Sequence, residues 1–430
     1  MGSWMTASDP DTPSSISRRA LIASASAAAG TAALATLIQP LGAQQATRQP
    51  VSPPTPSVPD DPSAIPGSPS EALNSRSQFE HPGQAPINVR SGSSLSPLHD
   101  LNGTITPSDL VFQRHHNGIP TIDPAKHTLT IHGLVDRPMV FTVEELKRFP
   151  SISRIHFLEC SGNGRAAFKT PKPDMSAQQI DGMTSNCEWT GVELKTLLRE
   201  VGAQSSAKWL LAEGNDAARL SRSIPMDKAM DDAIIAYGQN GEPLRPANGY
   251  PIRLFLPGFE GNANIKWLRR LELGREPWMF RDETSKYTDP LPNDTARQFS
   301  FVLDAKSIIT APSYPGKLSG AGWWPVRGLA WSGRGKISRV DVSTDGGKTW
   351  TIAQIVGENL PKAHVRFQHM WKWDGQPARI MSRAIDETGY VQPTLAEYIR
   401  VRGPGTDYHY NAIRSWDIAA DGTVTFGVTP

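Results

Sequence analysis

A chain of 430 residues exceeds the ~100–200 residues of one ordinary domain, so two folded units with appendages are expected. The 44 Lys and Arg against 42 Asp and Glu leave a formal charge of +2, and no basic block is long enough to track a phosphate backbone, which excludes a nucleic-acid partner. Cys160 and Cys187 can form at most one disulfide, and neither sits in the C-x-x-C or C-x-x-C-H spacing of a zinc knuckle or a covalent haem.

In chain order, Ser17-Arg18-Arg19-Ala20-Leu21-Ile22 opens an Ala-rich apolar run, and Leu41-Gly42-Ala43 offers a small-residue cleavage point. Residues 1–43 read as a twin-arginine export signal that delivers the chain to the periplasm. The alternative is a membrane anchor. The run is dominated by small residues and carries no stop-transfer charges, so no membrane span is expected in the mature form. Residues 44–105 are rich in Pro and Ser and lack apolar periodicity, as expected of a tether or a surface-wrapping arm.

Periodic elements begin near Asp109. Thr128 to Val135 alternates like a strand, and Thr142-Val143-Glu144-Glu145-Leu146 reads as a capped helix start. Strands and short helices then follow irregularly, which predicts an α+β domain over 106–290. Beyond it, Phe301-Val302-Leu303, Val326 to Trp331, Ile337 to Val342, Thr349 to Ile355 and Ala378 to Ile385 are short strand-like runs divided by turn residues. Asp345-Gly346-Gly347 marks a hairpin between two of them. An immunoglobulin-like β-sandwich over 291–430 is expected.

Three stretches carry chemistry. In Ile155 to Arg165, an apolar run ends in Cys160, a Gly-Asn turn and Arg165. A thiolate suits a soft metal and a neighbouring arginine lowers a thiol's pKa, but a lone cysteine after a strand can equally be a small buried hydrophobe. In Asp109 to Pro120, Arg114-His115-His116 lies on a loop, where it is either an oxyanion-binding fork or a solvated charged turn. In Pro246 to Leu268, Arg253 and Lys266 flank Gly-rich turns that let backbone amides approach an anion, or they are ordinary ion-pair partners.

Taken together, these stretches resemble the sulfite oxidase family of molybdopterin enzymes from Asp109 to the C-terminus. The resemblance implies a molybdenum-molybdopterin cofactor with Cys160 as the metal ligand. It implies catalytic roles for Arg114, Arg165 and Tyr287, and cofactor contacts from Phe112, Arg114, His115, His116, Cys160, Asp216, Asn248, Arg253, Asn264, Ile265 and Lys266. Arg327 to Gly333 and Val340 to Trp350 are similar to the family's immunoglobulin-like dimerisation domain, which implies a homodimer. Asn248 stands where a histidine is usual and is still able to hydrogen-bond a phosphate. Gln179 stands nearest to an absent pocket-wall tryptophan, and Gly164 replaces one of two arginines. The pocket is therefore expected to be roomier and less positive.

Glu242 to Pro251, Asp282 to Asp289 and Ser382 to Pro393 are similar to the sulfane dehydrogenase branch of the family. That branch implies oxidation of a sulfane sulfur on a carrier protein, with a c-type cytochrome subunit taking the electrons. The alternatives are a sulfite dehydrogenase acting on free sulfite, a periplasmic sulfoxide reductase, and a cofactor-free exported binding protein.

Overall fold

The computed structural model describes residues 75–428 except 78, 89–91 and 292–293. The expected export signal and residues 44–74 of the expected arm lie outside the described residues. Among the described residues, no helix is long and apolar enough to cross a membrane.

Residues 75–430 form one compact unit with two main cores. One antiparallel sheet runs Glu242–Pro243, Ile234–Gln239, Thr184–Glu193, Ser151–Glu159, with Arg253–Phe255 also paired to Ile234–Gln239. A second runs Met139–Thr142, Thr128–Gly133, Leu268–Gly274, Trp209–Gly214, Ser221–Pro225, and its Thr128–Gly133 and Leu268–Gly274 strands are parallel. Short helices such as Leu194–Glu200 bury Leu194, Leu197 and Leu198, a spacing that gives one apolar helical stripe. Thr142 caps Val143–Leu146 through a reciprocal box with Glu145, as its spacing predicts.

The C-terminal part is a sandwich of two antiparallel sheets. One contains Lys306–Ala311, Gly322–Trp331, Val365–Trp373 and Gln354–Val356, and the other contains Thr351–Ile352, Ile337–Ser343, Ala378–Asp386, Ser415–Ile418 and Val424–Phe426. The hairpin at Asp345 forms, with Val342 opposite Thr351. It is wide, because the Asp345 carboxylate accepts from the Thr349 amide at 2.9 Å and its hydroxyl at 2.6 Å, stabilising a longer loop. Gly346 and Gly347 take φ of 75° and 88° there.

One element differs from expectation. Phe301-Val302-Leu303 makes only an isolated bridge between Val302 and Phe259, and Phe301 instead stacks on Phe259 at 5.0 Å within the first core. The arm is structured before Asp109: Ala85–Asn88 pairs with Ser93–Leu95, and Leu95, Ser96 and Leu98 are buried. Burial of these side chains supplies apolar area that a solvated tether lacks.

Candidate active site

Strand Ser151–Glu159 delivers Cys160 at its end, where the Cys160 amide donates to Met183 O at 3.0 Å. A neighbouring turn approaches so closely that a Cβ on Gly261 would lie 2.9 Å from Glu159 O and 3.2 Å from Cys160 Cα, so only glycine fits. The arm fixes the facing loop. Phe112 N donates to Ser96 Oγ at 3.0 Å and to Ser185 Oγ at 3.1 Å, and Gln113 exchanges backbone hydrogen bonds with Ser94 at 3.0 Å in each direction. Arg114, His115 and His116 follow directly.

Twelve of the thirteen residues singled out from the sequence line one cavity: Phe112, Arg114, His115, His116, Cys160, Asp216, Asn248, Arg253, Asn264, Ile265, Lys266 and Tyr287. Arg165 lines a wider adjoining cleft, with Arg114, His115, His116, Cys160 and Tyr287 common to both. Among the residues missed, Leu158, Leu220, Asn262 and Trp267 also line the cavity. Asn262 donates to Ser161 Oγ at 3.0 Å and keeps a buried Oδ1 without a partner; the Gly261-Asn262-Ala263-Asn264 run is the signal that could have found it.

The cavity concentrates unneutralised positive charge. Arg253 is 2% exposed and donates to two neutral carbonyls, Asn248 O at 2.9 Å and Asn264 O at 3.1 Å. Its Nε has no partner, and its guanidinium lies 5.0 Å from the Trp189 ring centroid. Burial without a carboxylate pulls this guanidinium down to about 9. Lys266 Nζ meets His115 Nδ1 at 2.6 Å, Ala247 O at 3.1 Å and Arg114 O at 3.3 Å, and burial together with the neighbouring cation Arg253 holds it well below the usual lysine range. His115 is lowered to about 3 by burial and then by Lys266 and Arg114, so it is neutral and can accept from Lys266. Such charge in a low-dielectric pocket is costly unless an anion answers it.

Cys160 is subject to opposing influences. Burial pushes its thiol up and outweighs the lowering by Arg114 and Arg165, so the adjacent arginine does not by itself make a thiolate. Arg165 turns instead to Asp407 O at 2.7 Å, with its guanidinium 5.3 Å from the Tyr408 ring centroid. Asn248 spends its amide on Gln239 Oε1 at 2.8 Å and Ser108 O at 3.4 Å rather than offering it to the cavity. Gly164 is set by packing as well as charge, since its φ is 93° and a Cβ would lie 2.7 Å from Arg414 Nη2. Gln179 lines the outer cleft.

Tyr287 adopts a φ of 48°, uncommon for a bulky residue, and its hydroxyl lies 3.0 Å from His116 Nε2. Its ring sits 5.0 Å from the Arg222 guanidinium. Arg222 is held by Glu283 at 3.0 Å and Glu260 at 3.2 Å, and His409 meets Glu260 at 3.2 Å. Burial raises the Tyr287 hydroxyl above the ordinary phenol range, so it holds its proton.

Two family profiles match the chain: the oxidoreductase molybdopterin binding domain over residues 116–280, and the Mo-co oxidoreductase dimerisation domain over 297–415. Sulfite oxidase of Gallus gallus is 30% identical over 75% of this chain and 76% of its own length. The chain belongs to the sulfite oxidase family of molybdopterin enzymes. It is a molybdenum-cofactor oxidoreductase. An NADH nitrate reductase of Solanum lycopersicum is 32% identical, and the chain spans 38% of that longer protein. The crystal structure of the sulfane dehydrogenase SoxCD from Paracoccus pantotrophus superposes with a TM-score of 0.81 at 44% identity, over 85% of this chain and 96% of that one.

The residues present fit the cofactor. Buried Arg253 and half-buried Lys266, without carboxylate partners among the described residues, suit its phosphate, the orphaned Arg253 Nε and Asn262 Oδ1 are free to bond it, and Cys160 offers a soft sulfur donor on the cavity wall.

Proposed function

We propose that this molybdenum-dependent oxidoreductase oxidises the outer sulfur of a persulfide presented by a carrier protein and passes the electrons singly to a c-type cytochrome subunit. The observation that carries the reading is the cleft of about 970 Å³ that leads to Cys160, Arg114 and Tyr287. A free sulfite ion leaves most of such a volume unfilled, whereas a peptide segment fills it. The likeness to a protein titled sulfane dehydrogenase supports the same substrate class.

Bound molybdenum supplies the two-electron oxidation of sulfur, with the added oxygen drawn from water. Each cycle converts R–S–S⁻ and water to R–S–SO⁻, two protons and two electrons. On this reading Cys160 is the metal ligand, and Arg253, Lys266 and Asp216 hold the pterin with Phe112, His115, His116, Asn248, Asn264 and Ile265 around them. Arg114 and Arg165 draw the anionic sulfur inward. The protonated Tyr287 hydroxyl, hydrogen-bonded to His116, donates toward the oxygen being added and keeps a proton path to the cavity edge.

Residues 1–43 are proposed to route the folded chain to the periplasm by the twin-arginine pathway, after residues 44–105 as arm, 106–290 as catalytic domain and 291–430 as the unit that pairs two copies. The test is turnover by the molybdenum-loaded enzyme with cytochrome c as acceptor. Oxidation of a protein-borne persulfide with kcat/KM above that for sulfite is expected; a preference for sulfite would replace this reading with that of a sulfite dehydrogenase.

A further inference from the structure

The cleft outside the cofactor cavity has a charge pattern that the cofactor does not explain. Its lining contains Arg114, Arg165, Lys169, Lys172 and Lys286 and no Asp or Glu. The cations stand on two walls. Arg165 and Lys169 belong to helix Arg165–Lys169, with Lys172 just beyond it, while Lys286 follows helix Arg281–Thr284 on the side of Tyr287. Lys169 has a partner, Asp407, at 3.7 Å. The Asp407 carboxylate also acts on Arg165, which donates to Asp407 O at 2.7 Å; among the described residues, Lys172 and Lys286 have no carboxylate ion-pair partner, and all three cations are exposed. Leu95, Met175, Ile180 and Met183 also line the cleft and give it an apolar component.

A pocket that needs only to attract a small oxyanion gains from cations near the reacting atom, as Arg114 is. Lysines at the rim act at longer range, as steering charges for a ligand that extends that far. We propose that this cleft is a docking groove for an extended acidic peptide segment that flanks the reacting sulfur, with Arg165, Lys172 and Lys286 reading its carboxylates. The inference rests on the carrier-borne substrate proposed above and adds to it the sign of the carrier's charge beside the sulfur.

The experiment uses the full, molybdenum-loaded enzyme and two synthetic peptides of equal length, each with one cysteine persulfide, flanked by Asp in one and by Ser in the other. Binding is read by fluorescence anisotropy with unreactive Ser-for-Cys versions, and turnover by steady-state kinetics. The Asp-flanked peptide is expected to bind at least ~10-fold tighter at low salt, an advantage that shrinks as ionic strength rises. In the Lys172→Glu, Lys286→Glu double variant the advantage disappears, while Mo content and melting temperature match wild type. Equal binding of the two peptides by wild type overturns the groove proposal even if both are oxidised, leaving the carrier-borne reading intact. Failure to oxidise either peptide while sulfite is turned over overturns the carrier-borne reading instead, and the proposal with it. Tighter binding of a single-stranded oligonucleotide than of the acidic peptide also overturns the proposal, since the groove then reads phosphate rather than carboxylate.

Discussion

Buried cations occur in two neighbouring regions of this protein, and they are treated in opposite ways. Beneath Cys160, Lys306 is 2% exposed and meets Glu159 at 3.0 Å and Asp181 at 2.5 Å. Glu159 also accepts from Asn163 Nδ2 at 2.9 Å and from Trp331 Nε1 at 2.6 Å. Arg222 has two glutamates, and Arg402 has Asp289 at 3.2 Å and Asp304 at 3.1 Å. In the cavity, by contrast, Arg253 and Lys266 have only neutral partners. Among the paired cations, Lys306 joins the sandwich to the strand end that carries Cys160; the unpaired ones leave room for an anion. Complete pairing therefore marks a structural role and missing pairing a binding one, a contrast that substitutions can break.

The largest effect is expected at Cys160, the proposed metal ligand. Cys160→Ser removes the soft donor, and turnover should fall by more than the ~10–100-fold that loss of a supporting partner costs, with the melting temperature little changed. Cys187→Ser should do the reverse. That thiol is fully buried, accepts from Gln239 Nε2 at 3.2 Å and is pushed up to about 12 by burial, so its replacement leaves kcat near wild type and lowers stability by about 1–3 kcal/mol. Parallel kinetics and thermal melts check the pair. A folded Cys160→Ser enzyme with normal turnover would remove Cys160 from the metal.

Next in size is Lys306→Met. It leaves Glu159 buried without its cation and Asp181 with only Arg414 at 3.6 Å, which should destabilise the protein by about 3–5 kcal/mol in chemical denaturation. Arg253→Met sharpens the comparison by removing a cation that has no carboxylate to strand. Two carbonyls lose a donor, but an uncompensated buried charge is relieved, so the apo protein should change by less than about 1 kcal/mol. Cofactor content, measured as molybdenum per chain, should drop sharply. A large loss of apo stability in Arg253→Met would show that the two regions do not differ as argued.

The same contrast separates what was legible in the sequence from what was not. Arg114, His115 and His116 are contiguous, and Arg253 to Lys266 spans one strand and one turn, so those clusters could be read directly. The pairs that hold the site could not: Lys306 finds Glu159 across 147 positions and His409 finds Glu260 across 149, and no local pattern encodes such distances. Phe301 to Leu303 has strand composition, yet its aromatic joins a stack with Phe259 and Phe299, so tertiary packing overrides propensity. Which of the two, tether or surface-wrapping arm, the segment before Asp109 forms was not legible for a related reason. Leu95 and Leu98 are too few to form a periodic pattern, and their burial depends on surfaces supplied by the rest of the chain.

The smallest expected effect concerns a buried residue that carries neither an ion pair nor a ligand role. His364 lies between Phe157, at 6.0 Å, and Trp331, at 4.8 Å, and its Nε2 is 2.8 Å from Thr184 Oγ1. Burial, and then Arg366, lowers its imidazole from 6.5 to about 3. Unfolding returns the ring to water, where it protonates near 6.5. Between these values the unfolded chain binds more protons than the folded one, so stability rises with pH across that window and has no remaining contribution from this group above it. His364 alone can add at most about 1.4 kcal/mol per pH unit to that slope. His156, lowered to about 4, and His115, lowered to about 3, titrate in the same sense, so the acid limb persists without His364 but becomes shallower. His364→Gln retains a side chain able to bond Thr184 and cannot titrate. Urea midpoints for wild type and variant should therefore converge as pH falls from about 7 to about 4, because only wild type carries the added proton-linked loss. Parallel curves across that range would mean that His364 takes up its proton as readily in the folded protein as in the unfolded chain, so that its aromatic surroundings would have to offset the cost of burying the imidazolium.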